Sequence, residues 1–213
     1  MKITPSNTSE LLNTGKALPV METFYSVQGE GHLTGSAACF IRIGGCDVGC
    51  HWCDVKESWN ADIHPLMLVD DVIEAISDNP SKTVVITGGE PLLYNLDYLC
   101  GKLKDKRIKI CLETSGVIPL TGNYDWICLS PKCNQNPRSD ILLMADELKV
   151  IIENPEDLNW AEENSRKVKD KCLLYLQPEW SKFETIIPVI VDYVKNNPKW
   201  MISLQSHKFM NIP

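Results

Sequence analysis

Three cysteines fall within eight residues, in the run CDVGCHWC at 46–53, with the spacing C-x3-C-x2-C. Thiolates are the ligands of iron–sulfur clusters, and three on one short loop can hold three irons of a cubane and leave the fourth iron open. A structural zinc site normally takes four protein ligands, so zinc here would need His51 or a distant residue to complete it. A disulfide would use only two of the three. Five further cysteines, Cys39, Cys100, Cys111, Cys128 and Cys172, sit inside apolar runs and read as small buried hydrophobes. Cys46, Cys50 and Cys53 are therefore the expected metal ligands.

Other side chains with chemical capacity lie elsewhere along the chain. Arg42 stands in the apolar run ACFIRI (38–43), where a guanidinium is costly unless an anion or other acceptors meet it. The partner is either a bound anion or a carboxylate of the chain such as Glu30. Gln28, Gly29 and Glu30 lie on a glycine-flanked loop that serves either as a plain turn or as a surface reading the edge of a ligand. GGEP (88–91) fits an ordinary tight turn as well as a ligand contact. Glu113 ends a buried run and needs partners. Lys132 is either solvated or part of a site, and His207 is a lone histidine near the last residue.

These residues must be positioned by regular elements, and the chain supplies a repeating beat. Seven short runs are nearly continuous in apolar residues: 38–43, 82–87, 108–113, 125–130, 147–152, 172–177 and 200–205. Such runs are expected of strands buried on both faces of a parallel sheet. Residues 68–79 and 182–197 carry apolar side chains at helical spacing, and 155–170 reads as a solvated helix with a thin apolar stripe. The polar motifs GGCDVGCHWCD, GGEP, ETSG, SPK, QPE and QSHK each follow or end one of the runs. Parallel α/β folds build their sites at the C-terminal ends of strands, so these motifs should converge. Too few helices for an eightfold barrel points to an incomplete (β/α) barrel with mostly parallel strands; an open doubly wound sheet is the competing architecture.

The 213 residues predict one domain, with residues 1–20 as a loose N-terminal arm or an early helix. A net charge of −7 and four scattered arginines argue against a nucleic-acid groove. No apolar stretch reaches membrane-spanning length and the N-terminus lacks a signal-peptide core, which predicts a cytoplasmic protein without a membrane role.

The C-x3-C-x2-C loop after a strand, with Trp52 before its last cysteine, resembles the radical S-adenosylmethionine superfamily. A closer resemblance runs from about Glu22 to Pro213. FYSVQGEG, TGGEP, ETSG, DWICLSPK, ELKVII, LQPE and SLQSHKFMNIP together are similar to the 7-carboxy-7-deazaguanine synthase family. The resemblance implies ring contraction of 6-carboxy-5,6,7,8-tetrahydropterin to 7-carboxy-7-deazaguanine with loss of ammonia, on the way to queuosine and other 7-deazapurines. It implies a 4Fe-4S cluster whose open iron binds S-adenosylmethionine, a one-electron donor such as a flavodoxin, and a homodimer. It assigns the cofactor to Trp52, Cys53, Asp54, Gly89, Glu113, Ser130, Pro131, Lys132 and Gln177. It assigns the substrate to Val27, Gln28, Gly29, Arg42, Thr87, His207 and Pro213, and no side chain acts as a nucleophile. Magnesium is implied too, but many family members read Cys-Asp-Thr where this chain reads Cys53-Asp54-Val55. Valine has no oxygen for a hard cation, which predicts a weaker or differently ligated site. The rival readings are a radical activase acting on a partner protein and a non-catalytic zinc module.

Overall fold

All seven apolar runs form strands in the computed structural model, which describes residues 2–213. They are β2 (Ala37–Ile43), β4 (Thr83–Gly88), β5 (Lys109–Thr114), β6 (Trp126–Leu129), β7 (Glu147–Ile152), β8 (Leu173–Pro178) and β9 (Trp200–Ile202). Two strands that the apolar pattern does not predict, β1 (Ala17–Val27) and β3 (Leu66–Leu68), extend the sheet. The order is β3-β1-β2-β4-β5-β6-β7-β8-β9, antiparallel where β1 meets β2 and β3, and parallel from β2 to β9.

The order decides between the two architectures. A doubly wound sheet reverses direction at a switch point, which puts helices on both faces. Here the parallel strands follow one another in sequence without reversal, so every crossover travels the same way and one face is left to curve inward. The result is an incomplete (β/α) barrel.

The helices are α1 (Thr8–Asn13), α2 (Val69–Ile76), α3 (Asp97–Asp105), α4 (Ser139–Met144), α5 (Asp157–Ser165), α6 (Phe183–Asn196) and α7 (Ser206–Met210). Strand side chains alternate between faces. On β7, Leu148, Val150 and Ile152 enter the main core with α-helical residues such as Ile141, Ala161 and Ile190. Glu147 and Lys149 take the opposite, inner face. The floor of that inner face is a small apolar cluster of Ala38, Phe40, Val85 and Cys111, flanked by Phe24, Leu33 and Trp126. Above the floor, toward the C-terminal strand ends, the inner face turns polar.

The N-terminal segment departs from a loose arm. Leu11 of α1 is buried, and so are Ala17–Val20 of β1, the first three of which pair with β3. Met1 lies outside the described residues. The five cysteines expected as hydrophobes are all buried. Among the described residues, no helix is long and apolar enough to cross a membrane.

Candidate active site

The polar motifs converge on one cavity of about 270 Å³ at the C-terminal ends of the strands. The cysteine loop leaves β2 through Gly44 and Gly45 and forms part of the wall. Main-chain bonds from Gly45 N to Ser58 O (2.6 Å) and Cys46 N to Trp59 O (3.1 Å) hold its entry. Two side-chain amides from beyond β6 hold its middle: Asn134 Nδ2 donates to Val48 O (2.6 Å) and Gln135 Nε2 to Asp47 O (3.2 Å). GGEP has a steric reason for its glycines. A Cβ on Gly88, whose φ is +134°, would sit 2.2 Å from Ile43 O, and one on Gly89 would sit 2.1 Å from Gly45 O. Only glycine lets β4 end this close to the loop.

Cys46, Cys50 and Cys53 are unbonded to other cysteines, half-buried, and all line the cavity. Burial pushes the Cys46 and Cys50 thiols up, with Lys132 opposing the rise at Cys50. Among the described residues no three His, Cys, Asp or Glu side chains are placed to share one metal ion. Three thiolates on one loop, all lining one cavity, are a donor set that would hold three irons of a cubane. The donor set fits the cluster.

Trp52, Gly89, Ser130, Lys132 and Gln177 also line the cavity, whereas Pro131 is buried behind its wall. Lys132 is not a solvated lysine. Its Nζ donates to Ser130 O and Ser130 Oγ, both at 2.7 Å, and lies 5.5 Å from the centre of the Trp52 ring. Burial lowers its pKa. Gln177 is fixed by Ser203 Oγ, which donates to its Oε1 at 2.7 Å. Glu90 of GGEP is structural: it accepts from Thr114 Oγ1 (2.7 Å), Ser115 N (2.8 Å) and Leu92 N (3.1 Å).

Val27, Gln28, Gly29, Arg42, Thr87, His207 and Pro213 line the same cavity. Glu113, assigned to the cofactor by the resemblance, lines the cavity too and is bonded to two of these residues. Its Oε1 accepts from Gln28 Nε2 (3.0 Å) and its Oε2 from Thr87 Oγ1 (2.9 Å). Arg42 pairs with Glu22 rather than Glu30, through Nε at 2.7 Å, and its terminal nitrogens have no hydrogen bond among the described residues. The QGEG loop and the last residues are packed together: Ser206 N donates to Gly29 O (2.9 Å), and a Cβ on Gly29 would strike the His207 ring. Ser26 Oγ donates to Pro213 O at 3.1 Å.

Some site residues lie outside the sequence expectations. Lys149 is buried inside the barrel against Glu30, and Gln205 bridges Glu30 to Asp54. Burial would raise the Glu30 carboxyl, but the Lys149 ammonium and the hydrogen bonds from Lys149 and Gln205 outweigh it and hold the pKa at about 2. Lys149 carried a readable signal, a lone cation within the apolar run ELKVII, the same signal that marks Arg42.

The Radical SAM superfamily pattern matches residues 40–130, from β2 through the cysteine loop to Ser130. A 7-carboxy-7-deazaguanine synthase from Flavobacterium psychrophilum is 55% identical over 199 residues, covering 93% of this chain and 94% of that protein. This chain belongs to the 7-carboxy-7-deazaguanine synthase family. A family member from Synechocystis sp. is 47% identical over 205 residues, covering 96% of this chain and 97% of that protein. The crystal structure of QueE from Escherichia coli matches with a TM-score of 0.81 at 28% identity, covering 95% of this chain and 100% of that one. Membership in this family makes the chain a radical S-adenosylmethionine enzyme of 7-deazapurine biosynthesis, with a 4Fe-4S cluster and S-adenosylmethionine as its cofactors.

Proposed function

We propose that this chain converts 6-carboxy-5,6,7,8-tetrahydropterin to 7-carboxy-7-deazaguanine with loss of ammonia. It does so as a single-domain, cytoplasmic homodimer supplied by a one-electron donor such as a flavodoxin. The observation that carries this reading is that the cysteine loop and a set of groups suited to a carboxylated pterin line one cavity. When bound, the cluster and S-adenosylmethionine supply reductive cleavage that lets a hydrogen atom be taken from C6 of the pterin.

The chain's own part is binding and orientation. Lys132 and Ser130 flank the cysteine loop and suit the polar end of S-adenosylmethionine. Gln28, Glu113 and Thr87 form a linked set of donors and acceptors for the pterin edge. The free guanidinium nitrogens of Arg42 suit its carboxylate as a two-point contact. Arg42→Ala is therefore expected to leave the iron content unchanged and to weaken substrate use by about 2–5 kcal/mol, read as kcat/KM for the pterin. An Arg42→Ala protein with unaltered KM and kcat contradicts the assignment. The whole reading is tested by incubating anaerobically reconstituted protein with S-adenosylmethionine, reductant and the pterin.

The residues present suit magnesium poorly, in keeping with a weaker or differently ligated site. Val55 lines the cavity but offers no oxygen, and Asp54 Oδ2 already accepts from Lys208 Nζ (2.8 Å) and Gln205 Nε2 (3.1 Å). Stimulation by magnesium is expected to be small in the wild type. Val55→Thr should lower the concentration needed for half-maximal activity in chelator-treated buffer. Strong, saturable dependence in the wild type that threonine does not improve would contradict this.

A further inference from the structure

One side chain connects two segments that line the cavity. Gln205 is buried, and its single amide nitrogen donates to Glu30 Oε1 at 2.9 Å and to Asp54 Oδ2 at 3.1 Å. Asp54 follows the proposed cluster ligand Cys53 directly, and Glu30 follows Gln28 and Gly29 of the QGEG loop. Two ionised carboxylates cannot donate to one another, and a primary amide is a neutral group with two hydrogens to give. The arrangement is closed at each end by a cation. The Lys149 ammonium pairs with Glu30, and Lys208 Nζ reaches both Asp54 Oδ2 (2.8 Å) and Gln205 Oε1 (3.1 Å). The line Lys149–Glu30–Gln205–Asp54–Lys208 thus joins β7, the QGEG loop, the cysteine loop and α7. His207 lies in that same α7 segment, and its neighbour Ser206 is bonded to Gly29 O.

We propose that Gln205 is a positioning residue that keeps the cysteine loop in register with the substrate wall, so that cleavage of S-adenosylmethionine is matched to hydrogen removal from the substrate. The proposal rests on the reaction given above. Neither carboxylate needs to touch a reacting atom for this role. The amide fixes the distance between the cluster side and the pterin side, and a misplacement of about 1 Å between reacting groups can cost on the order of 100-fold in rate.

The test is the ratio of 5′-deoxyadenosine released to product formed, measured under anaerobic turnover in wild type and Gln205→Met. Methionine keeps the length of the side chain and removes the amide. Gln205→Met is expected to raise the ratio about tenfold, the effect of a misplacement smaller than the full ångström just described, with iron content unchanged. A merely structural role would lower both quantities together and leave the ratio where it was. Should Gln205→Met bind fewer irons than wild type, Lys208→Met decides. It leaves the amide in place but removes the cation that anchors it, and it should raise the ratio in the same direction by less. An unchanged ratio in the deciding variant overturns the proposal. Product formation by the wild type in the same experiment reports separately on the reaction itself, so a failure there is distinguishable from a failure of the coupling.

Discussion

Replacing any one of Cys46, Cys50 or Cys53 with alanine is expected to abolish S-adenosylmethionine cleavage. If the three hold a cubane as proposed, each thiolate would take its own iron and none could substitute for another. The three share one loop and one cavity, and the surrounding bonds to Asp47, Val48, Cys46 and Gly45 come from elsewhere in the chain, so the fold does not depend on them. Wild-type protein reconstituted without oxygen should hold about four irons. Each alanine variant should keep its far-ultraviolet circular dichroism and lose the cluster signal. A single variant with full iron content and undiminished cleavage contradicts the ligand assignment. Cys133, which is exposed and follows Lys132, serves as the control, since its replacement by serine should leave the iron content unchanged.

The largest effect on stability is expected at Lys149. The Lys149 side chain is 6% exposed and that of Glu30 17% exposed, so the pair is largely shielded from water. Removing the lysine leaves Glu30 buried without its cation, which costs on the order of 3–5 kcal/mol. Lys149→Met should lower the urea midpoint of the cluster-free protein accordingly. Lys149→Met combined with Glu30→Gln should recover part of the loss, because no buried charge is then unpaired. The pH dependence has a definite sign. The Glu30 carboxyl lies at about 2 in the fold against an ordinary 4.5, so its stabilisation is present above about 4.5 and is lost as pH falls toward 2. Wild type and Glu30→Gln should therefore converge in stability across that window. Equal urea midpoints for wild type and Lys149→Met would show that the pair contributes nothing.

The sequence revealed the parallel part of the fold because a strand covered on both faces needs a continuous apolar run, and all seven such runs became strands. β1 escaped because its second half, METFYSV, has one face toward the polar cavity and pairs antiparallel with β2, so the run is broken by Glu22, Thr23 and Ser26. α4 and α7, with six and five residues, are too short to establish a helical period, and α3 carries Gly101 and three lysine or aspartate residues in its last turn and a half. The cysteine loop was legible because its ligands are local. The bridge through Gln205 was not, since Glu30 and Gln205 stand 175 residues apart and no spacing connects them. Arg42 shows both outcomes: an isolated cation in an apolar strand marked it as a site residue, yet its carboxylate partner proved to be Glu22, which the register of β1 against β2 places opposite it.

The central claim is that the cysteine loop and the pterin wall act on one molecule of substrate in one cavity. It is tested most directly by anaerobic turnover of 6-carboxy-5,6,7,8-tetrahydropterin carrying deuterium at C6, with reconstituted protein, reductant and S-adenosylmethionine. The account predicts 7-carboxy-7-deazaguanine and ammonia in equal amounts, with the deuterium passing into the adenosyl group of the cofactor. A protein that holds its cluster and cleaves S-adenosylmethionine, yet forms no deazaguanine and moves no deuterium, would contradict it.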